Sequence, residues 1–183
     1  MMRRIEVHDD VFEHQMHNAL YAYITQLEYR DGWHSNSNIE YTQFHAEIGH
    51  GGKGNRDDIT AHISSPVVLA AWELVQTKVL REKHKLLRCY ANKNVYGTEG
   101  YPHRDTDKHN TTDITCVCYF CGPEWKLAWC GETALVLGGE IIKSVLPREN
   151  RLFLFPSHMK HIARSVTKLC ERPRITLMFK SSP

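Results

Sequence analysis

From Leu86 onward the chain changes rhythm. Short segments rich in β-branched and aromatic residues follow one another at 86–91, 113–121, 133–138, 140–146, 151–155, 161–166 and 174–180, which predicts seven strands. The run from Ala134 to Val145 carries Gly138-Gly139 at its centre and reads as a hairpin. Ahead of this region the periodicity is helical. Between Val11 and Tyr29 the apolar positions Val11, Met16, Ala19, Leu20, Tyr23, Ile24 and Leu27 share one helix face, after a short strand at Ile5–Val7. Ser64-Ser65-Pro66 supplies a cap hydroxyl and a first-turn proline for a second helix, which runs through Trp72, Leu74, Val75 and Val79 to about Lys83. Helices first and strands afterwards imply an α+β domain. Residues 31–60, with Gly49 to Arg56 at their centre, are rich in Gly, Asn, His and charge and predict a long surface loop of the kind that forms lids. The expected organisation is one domain over 1–183, with 1–85 as helical support and lid loop and 86–180 as the strand core.

Composition narrows the function classes. A formal charge of +2 and a pI near 8.2, with basic residues scattered, argue against a nucleic-acid surface. No window reaches the 18 or so apolar residues of a membrane span, and the basic start Met1 to Asp10 lacks a following apolar stretch, so a cytoplasmic protein is expected. Of the six cysteines, Cys118 and Cys121 form a Cys-x-x-Cys without the second pair that a zinc module requires. Cys116 and Cys118 lie in a strand-like run, where cysteine behaves as a small apolar core residue.

The chemistry-bearing residues are spread over this strand region. His103 and Asp105 follow a turn-rich stretch, Gly97 to Pro102, and two residues apart on an extended chain they project to the same side. With twelve His and eight Asp in 183 residues, a His-x-Asp triplet arises by chance in about every second such chain. The context has to carry the assignment. Asp105 is preferred to Asp107, whose wider spacing moves its carboxylate elsewhere on the loop. His161 begins the strand after the Phe155-Pro156-Ser157 turn and is preferred to His158, which lies inside the turn and is expected to be solvated. Two imidazoles and one carboxylate can occupy one face of Fe(II) and leave three positions open. In Arg174 to Phe179, strand alternation sends Arg174, Thr176 and Met178 to one face and Ile175, Leu177 and Phe179 to the other. If the second set meets the helices, Arg174 points inward, where a bound carboxylate would offset the cost of a buried charge.

The segments Cys89 to Asp105, Trp125 to Thr133, Pro147 to Pro156, His161 and Arg174-Ile175-Thr176, taken in order, resemble the Fe(II)/2-oxoglutarate-dependent oxygenases of the prolyl 4-hydroxylase-like group. The resemblance covers roughly residues 86–180. It implies a double-stranded β-helix, or jelly-roll, core with N-terminal supporting helices. It implies Fe(II) on His103, Asp105 and His161, which serve as the catalytic centre. It implies 2-oxoglutarate held by Arg174 with Thr176, and Tyr90 and Tyr119 around the cosubstrate. Dioxygen is then the co-reactant, ascorbate a stimulating reductant, and succinate a product. Aspartate at position 105 implies hydroxylation, since halogenating relatives carry a small residue there. Two features depart from the pattern: the stretch between Tyr90 and His103 is longer, and Cys130 stands where glycine is common. The expected substrate is a small molecule, such as an amino acid or biosynthetic intermediate. Alternatives are a peptidyl-prolyl substrate, a jelly-roll metalloenzyme that uses no 2-oxoglutarate, or a non-catalytic metal-binding jelly roll. The residues of 31–60 expected at the entrance are Trp33, His45, His50, Lys53 and Arg56. The sequence assigns no oligomeric state.

Overall fold

The computed structural model of the protein describes residues 4–33, 42–52 and 54–183. Among these, ten strands form two antiparallel sheets: β1 (Glu6–His8), β2 (Arg30–Trp33), β3 (Gln43–His50), β4 (Lys85–Asn94), β5 (Ile114–Phe120), β6 (Thr133–Leu137), β7 (Glu140–Val145), β8 (Arg151–Pro156), β9 (Lys160–Ala163) and β10 (Arg174–Ser182). The larger sheet runs β1-β8-β5-β10-β4-β3-β2, and the smaller β7-β6-β9. Two helices, α1 (His14–Thr25) and α2 (Pro66–Leu74), accompany them.

Alternation along β10 organises both layers. Ile175, Leu177 and Phe179 join a buried cluster with Leu20 and Ile24 of α1 and Val68 and Trp72 of α2, so the helices cover the outer face of the larger sheet. Phe179 and Trp72 meet at a ring-centroid distance of 5.4 Å. Met178 faces the other way and packs with Tyr90, Tyr119, Phe153 and Phe155 of the larger sheet against Leu135 and Val145 of the smaller one. The core between the sheets is that of a jelly roll, and the helices support it from outside. No described helix is long and apolar enough to cross a membrane.

Several boundaries differ from the expectations. α1 begins at His14 because Asp10 turns the chain at φ 54° and Glu13 is still extended. The Asn150 side chain fixes this approach by accepting from the Phe12 N–H and donating to the Phe12 carbonyl. α2 ends at Leu74 and continues to Leu80 as a wider π turn, which closes on left-handed Arg81 through its N–H to the Gln76 carbonyl. The largest correction concerns 31–60. This segment is not a continuous loop: it contains most of β2 and all of β3, and β3 pairs with β4 from Phe44↔Lys93 to His50↔Arg88. Gln43, Ala46 and Gly49 are buried along β3. Phe44, Ala46 and Ile48 alternate with His45 and Glu47, and Ala46 and Ile48 pack on the core, so a short apolar period and the ladder with β4 together hold this strand inside a polar, glycine-rich stretch. Lys53 lies outside the described residues. β1 likewise joins the sheet, against β8.

Candidate active site

One isolated antiparallel bridge brings residues 103 and 161 together. The His103 N–H donates to the His161 carbonyl at 3.0 Å and the His161 N–H to the His103 carbonyl at 2.9 Å, which sets the two rings 4.4 Å apart. Two residues on, the Asp105 N–H donates to the Ser157 carbonyl, so the His103–Asp105 segment is registered against the β8–β9 turn. The result is a triangle. His103 Nε2 lies 3.5 Å from Asp105 Oδ1 and His161 Nε2 lies 3.6 Å from Asp105 Oδ2, and the three donor atoms fall within 4.8 Å of one another.

The environment prepares these atoms to bind a cation. His103 Nδ1 faces the Tyr101 carbonyl at 2.8 Å and His161 Nδ1 faces the Met159 carbonyl at 3.0 Å. A carbonyl only accepts, so each Nδ1 carries the proton and each Nε2 turns a lone pair into the triangle. Burial pushes the His161 imidazole down to about 4 despite the nearby Asp105 carboxylate, which keeps it in the neutral, ligating form at ordinary pH. Asp105 is 1% exposed. Burial alone would raise its carboxyl, but Lys180 and the two histidines outweigh burial and hold it well below the usual range. The carboxylate accepts from Thr115 Oγ1 at 2.7 Å through Oδ2 and from Lys180 Nζ at 2.6 Å through Oδ1.

Arg174 fills the neighbouring pocket. It is 2% exposed on the inner face of β10. Its Nη1 donates to Asn94 Oδ1 at 3.1 Å and its Nη2 to Thr133 Oγ1 at 2.7 Å, while its buried Nε–H has no partner among the described residues. The guanidinium lies 5.2 Å from the Tyr119 ring centre, and the Tyr119 hydroxyl donates to the same Thr133 oxygen at 2.7 Å. An unpaired N–H on a buried cation suits an incoming carboxylate, because leaving such a group unsatisfied costs about 1–3 kcal/mol or more. The pocket is lined by Arg174, Thr176, Tyr90, His103 and His161 together with Thr133. The anchor and the two imidazoles of the triangle therefore open onto one cavity, with Asp105 at its edge, and donor chemistry and orphan N–H both fit a ferrous ion and 2-oxoglutarate.

Apart from Asp105, which lines a second cavity, each residue predicted for the metal and cosubstrate lies in or against this one. Tyr119 touches it through Thr133 and Arg174. Trp33 lines it, and His45 stacks between Trp33 at 5.3 Å and Tyr90 at 4.9 Å. His50 and Arg56 instead line the second cavity, with Asp105. Asp107 is exposed and accepts from the His109 N–H, which leaves Asp105 as the inward carboxylate. His158 is buried, contrary to the expectation of a solvated ring, because the turn packs beneath the 103–105 segment and its carbonyl accepts from Arg104. Cys118 faces the helix side of the sheet and Cys121 the inter-sheet side, so the two thiols do not converge on one metal. Four contributors escaped sequence reasoning: Thr115, Thr133, Asn94 and Lys180. Lys180 was accessible, since it continues the 174-176-178 alternation. Asn94 depends on the β4–β10 register and Thr133 on the approach of the smaller sheet.

A sequence profile described as the 2OG-Fe(II) oxygenase superfamily matches residues 87–180, just over half of the chain. The chain belongs to this superfamily. No curated protein sequence is similar enough to match. Among solved structures, a 2OG-Fe(II) oxygenase family oxidoreductase from Burkholderia pseudomallei aligns at TM-score 0.73 and 14% identity, covering 97% of this chain and 84% of its own. A prolyl hydroxylase from Trichoplax adhaerens, in complex with a hypoxia inducible factor peptide, aligns at 0.66 and 14%, covering 97% and 83%. HygX from Streptomyces hygroscopicus, with nickel, 2-oxoglutarate and hygromycin B bound, aligns at 0.63 and 13%, covering 98% and 82%. At these identities the structural likeness shows a shared fold.

Proposed function

We propose that the protein is an Fe(II)- and 2-oxoglutarate-dependent dioxygenase that hydroxylates an unactivated C–H bond of a small molecule. The observation that carries this reading is the triangle of His103, Asp105 and His161 donors beside a buried guanidinium with a free N–H. His103, Asp105 and His161 hold the iron, with both Nε2 lone pairs set by the Nδ1–carbonyl bonds. Arg174 binds the distal carboxylate of 2-oxoglutarate, and Thr133 Oγ1 braces the site by accepting from both Arg174 Nη2 and the Tyr119 hydroxyl. Thr176 and Tyr90 form the walls. When bound, the iron and cosubstrate supply the oxidising chemistry: one oxygen atom of O2 leaves in succinate, with carbon dioxide released, and the other enters the product alcohol. The protein's own share is to bind, orient and shield. Residues 1–183 act as one catalytic domain in this reading, because β1, β2 and β3 extend the sheet that bears Arg174.

Solved neighbours of this fold include one with a peptide and one with hygromycin B. The small-molecule reading is favoured by the second cavity at Asp105, about 280 Å³, just below the roughly 300–1,000 Å³ of small-molecule sites. The test is anaerobic reconstitution with iron(II), then 2-oxoglutarate, oxygen and ascorbate, with amino acids, other metabolites and proline-containing peptides scored by succinate release. Stimulation by a metabolite, abolished in Asp105→Ala and His161→Ala, is expected. Turnover within a few-fold of wild type in those variants would remove the ligand assignment, and stimulation by peptides alone would make the substrate a protein.

A further inference from the structure

The donor triangle separates two cavities. His103 and His161 line the one that holds Arg174, whereas Asp105 lines the other, whose remaining walls include Lys180, Arg88, Arg56, Ser157 and Asn55. The two share no residue. The second cavity carries three basic side chains, Arg56, Arg88 and Lys180, against two carboxylates, Asp105 and Asp113.

The arrangement of two of those side chains is costly by itself. Lys180 on β10 and Arg88 on β4 are direct cross-strand partners, and both lean over the same Tyr90 ring, with Lys180 Nζ 5.1 Å and the Arg88 guanidinium 4.5 Å from its centre. Like charges directly opposite each other on neighbouring strands destabilise a sheet. Each is held by one carboxylate. Arg88 donates to Glu47 on β3, at 2.7 Å from Nη2, and Lys180 to Asp105 at 2.6 Å. Arg56, at the rim, is committed to Asp113 through two bonds. A divalent cation in the triangle draws on the Asp105 charge, and Lys180 is then flanked by two positive centres, the metal and Arg88. Glu47 and Asp113 are already engaged. An oxyanion between Nζ and the guanidinium restores the balance, because both groups are donors with unused N–H bonds and both line the cavity.

On the reading of the site as a 2-oxoglutarate-dependent oxygenase, we propose that the primary substrate is a small acidic molecule whose carboxylate or phosphate docks between Lys180 and Arg88 in the Asp105 cavity. The cavity, about 280 Å³, has room for a metabolite. The anion sits beside the metal on the side away from Arg174, so the carbon to be oxidised lies close to the anionic group.

The test uses the full chain with Mn(II) in place of iron and saturating 2-oxoglutarate, so that nothing turns over. Proton line broadening by the bound Mn(II) is read for a panel of amino acids and hydroxy acids beside their primary amides, and of sugar phosphates beside the parent sugars. Expected is broadening of acids or phosphates over their neutral partners, with at least about a tenfold loss of affinity in Arg88→Gln and Lys180→Gln, since a charge-assisted hydrogen bond is worth roughly 1.5–3 kcal/mol. Lys180→Arg retains binding. Which arm responds identifies the anion. Neutral partners broadened as strongly as their acids, no member of either set broadened, or full acid binding in Arg88→Gln would overturn the proposal. Failure of the underlying reading looks different: Mn(II) itself would not bind, or its water-relaxation signal would survive His161→Ala. If Lys180→Gln does not fold, Arg88→Gln and the acid–amide comparison in the wild type still decide.

Discussion

Replacing Lys180 by Met separates the metal-free protein from the metal-loaded one. Met keeps most of the length and the apolar stem of the side chain and removes the ammonium, with its charge and its hydrogen bond to Asp105. Without metal, the Lys180 ammonium is the closest cation to Asp105, at 2.6 Å, and both side chains are well covered, at 15% and 1% exposure. Breaking a buried ion pair by removing one partner typically costs about 3–5 kcal/mol. The lower end applies here, because Asp105 keeps its hydrogen bond from Thr115. For a chain of this length, about 3 kcal/mol lowers Tm by roughly 6–12 °C. With Mn(II) bound, the dication takes over the compensation of Asp105 and the loss shrinks to about 1 kcal/mol. The difference of about 2 kcal/mol must then reappear as metal affinity, about thirtyfold tighter in the variant, since 1.4 kcal/mol is a factor of ten. Calorimetric melting with and without Mn(II), together with Mn(II) titration, measures both quantities. Equal losses of Tm in the two forms and an unchanged metal affinity would refute the view that lysine and metal share one carboxylate.

Three further outcomes are expected. Arg174→Ala should weaken 2-oxoglutarate by a hundredfold or more, on the order of a lost charge-assisted pair, while Mn(II) still binds; equal cosubstrate affinity by titration under nitrogen would remove the anchor role. Cys130, at φ 54° and ψ −134°, occupies backbone space that favours glycine, so Cys130→Gly should relieve about 1 kcal/mol of strain and raise Tm by roughly 2–4 °C, and a lower Tm would show that the thiol's contacts outweigh the backbone. Burial holds His161 at about 4 in the folded, metal-free chain, below its ordinary 6.5, and the folded state therefore resists a proton that the unfolded state takes up. Stability from this group is complete above about pH 6.5 and is lost as pH falls through 4. Denaturant titrations at pH 7, 5.5 and 4.5 should show that decline, and an unchanged decline in His161→Gln would assign it elsewhere.

Local pattern made much of this architecture legible. The alternation 174–179 separates the face that meets Trp72 and the helices from the face that carries Arg174, because side chains of a strand point alternately up and down whatever the neighbours are. The Gly138-Gly139 hairpin was readable for a similar reason, since both glycines take positive φ, at 63° and 90°. β3 was not readable. Its apolar period is only three residues long, Phe44, Ala46 and Ile48, and lies in a stretch whose glycine, asparagine and charge read as loop, so pairing with β4 was needed to show it. His158 was misread as solvated because burial of a turn depends on what lies across it, here the 103–105 segment.

The amino-acid order by itself singled out the candidate donors, His103, Asp105, His161 and Arg174, put His103 and Asp105 on one side of their segment, and put Arg174 on the strand face opposite Ile175 and Leu177. Tertiary structure alone decided that residues 103 and 161 share a bridge, that Thr133 from the smaller sheet reaches Arg174, and that Lys180 meets Asp105. The division has a physical cause. Side-chain direction along a strand is a local property of the backbone, whereas register between strands far apart in the chain is set by the hydrogen-bond ladders and packing of the whole sheet.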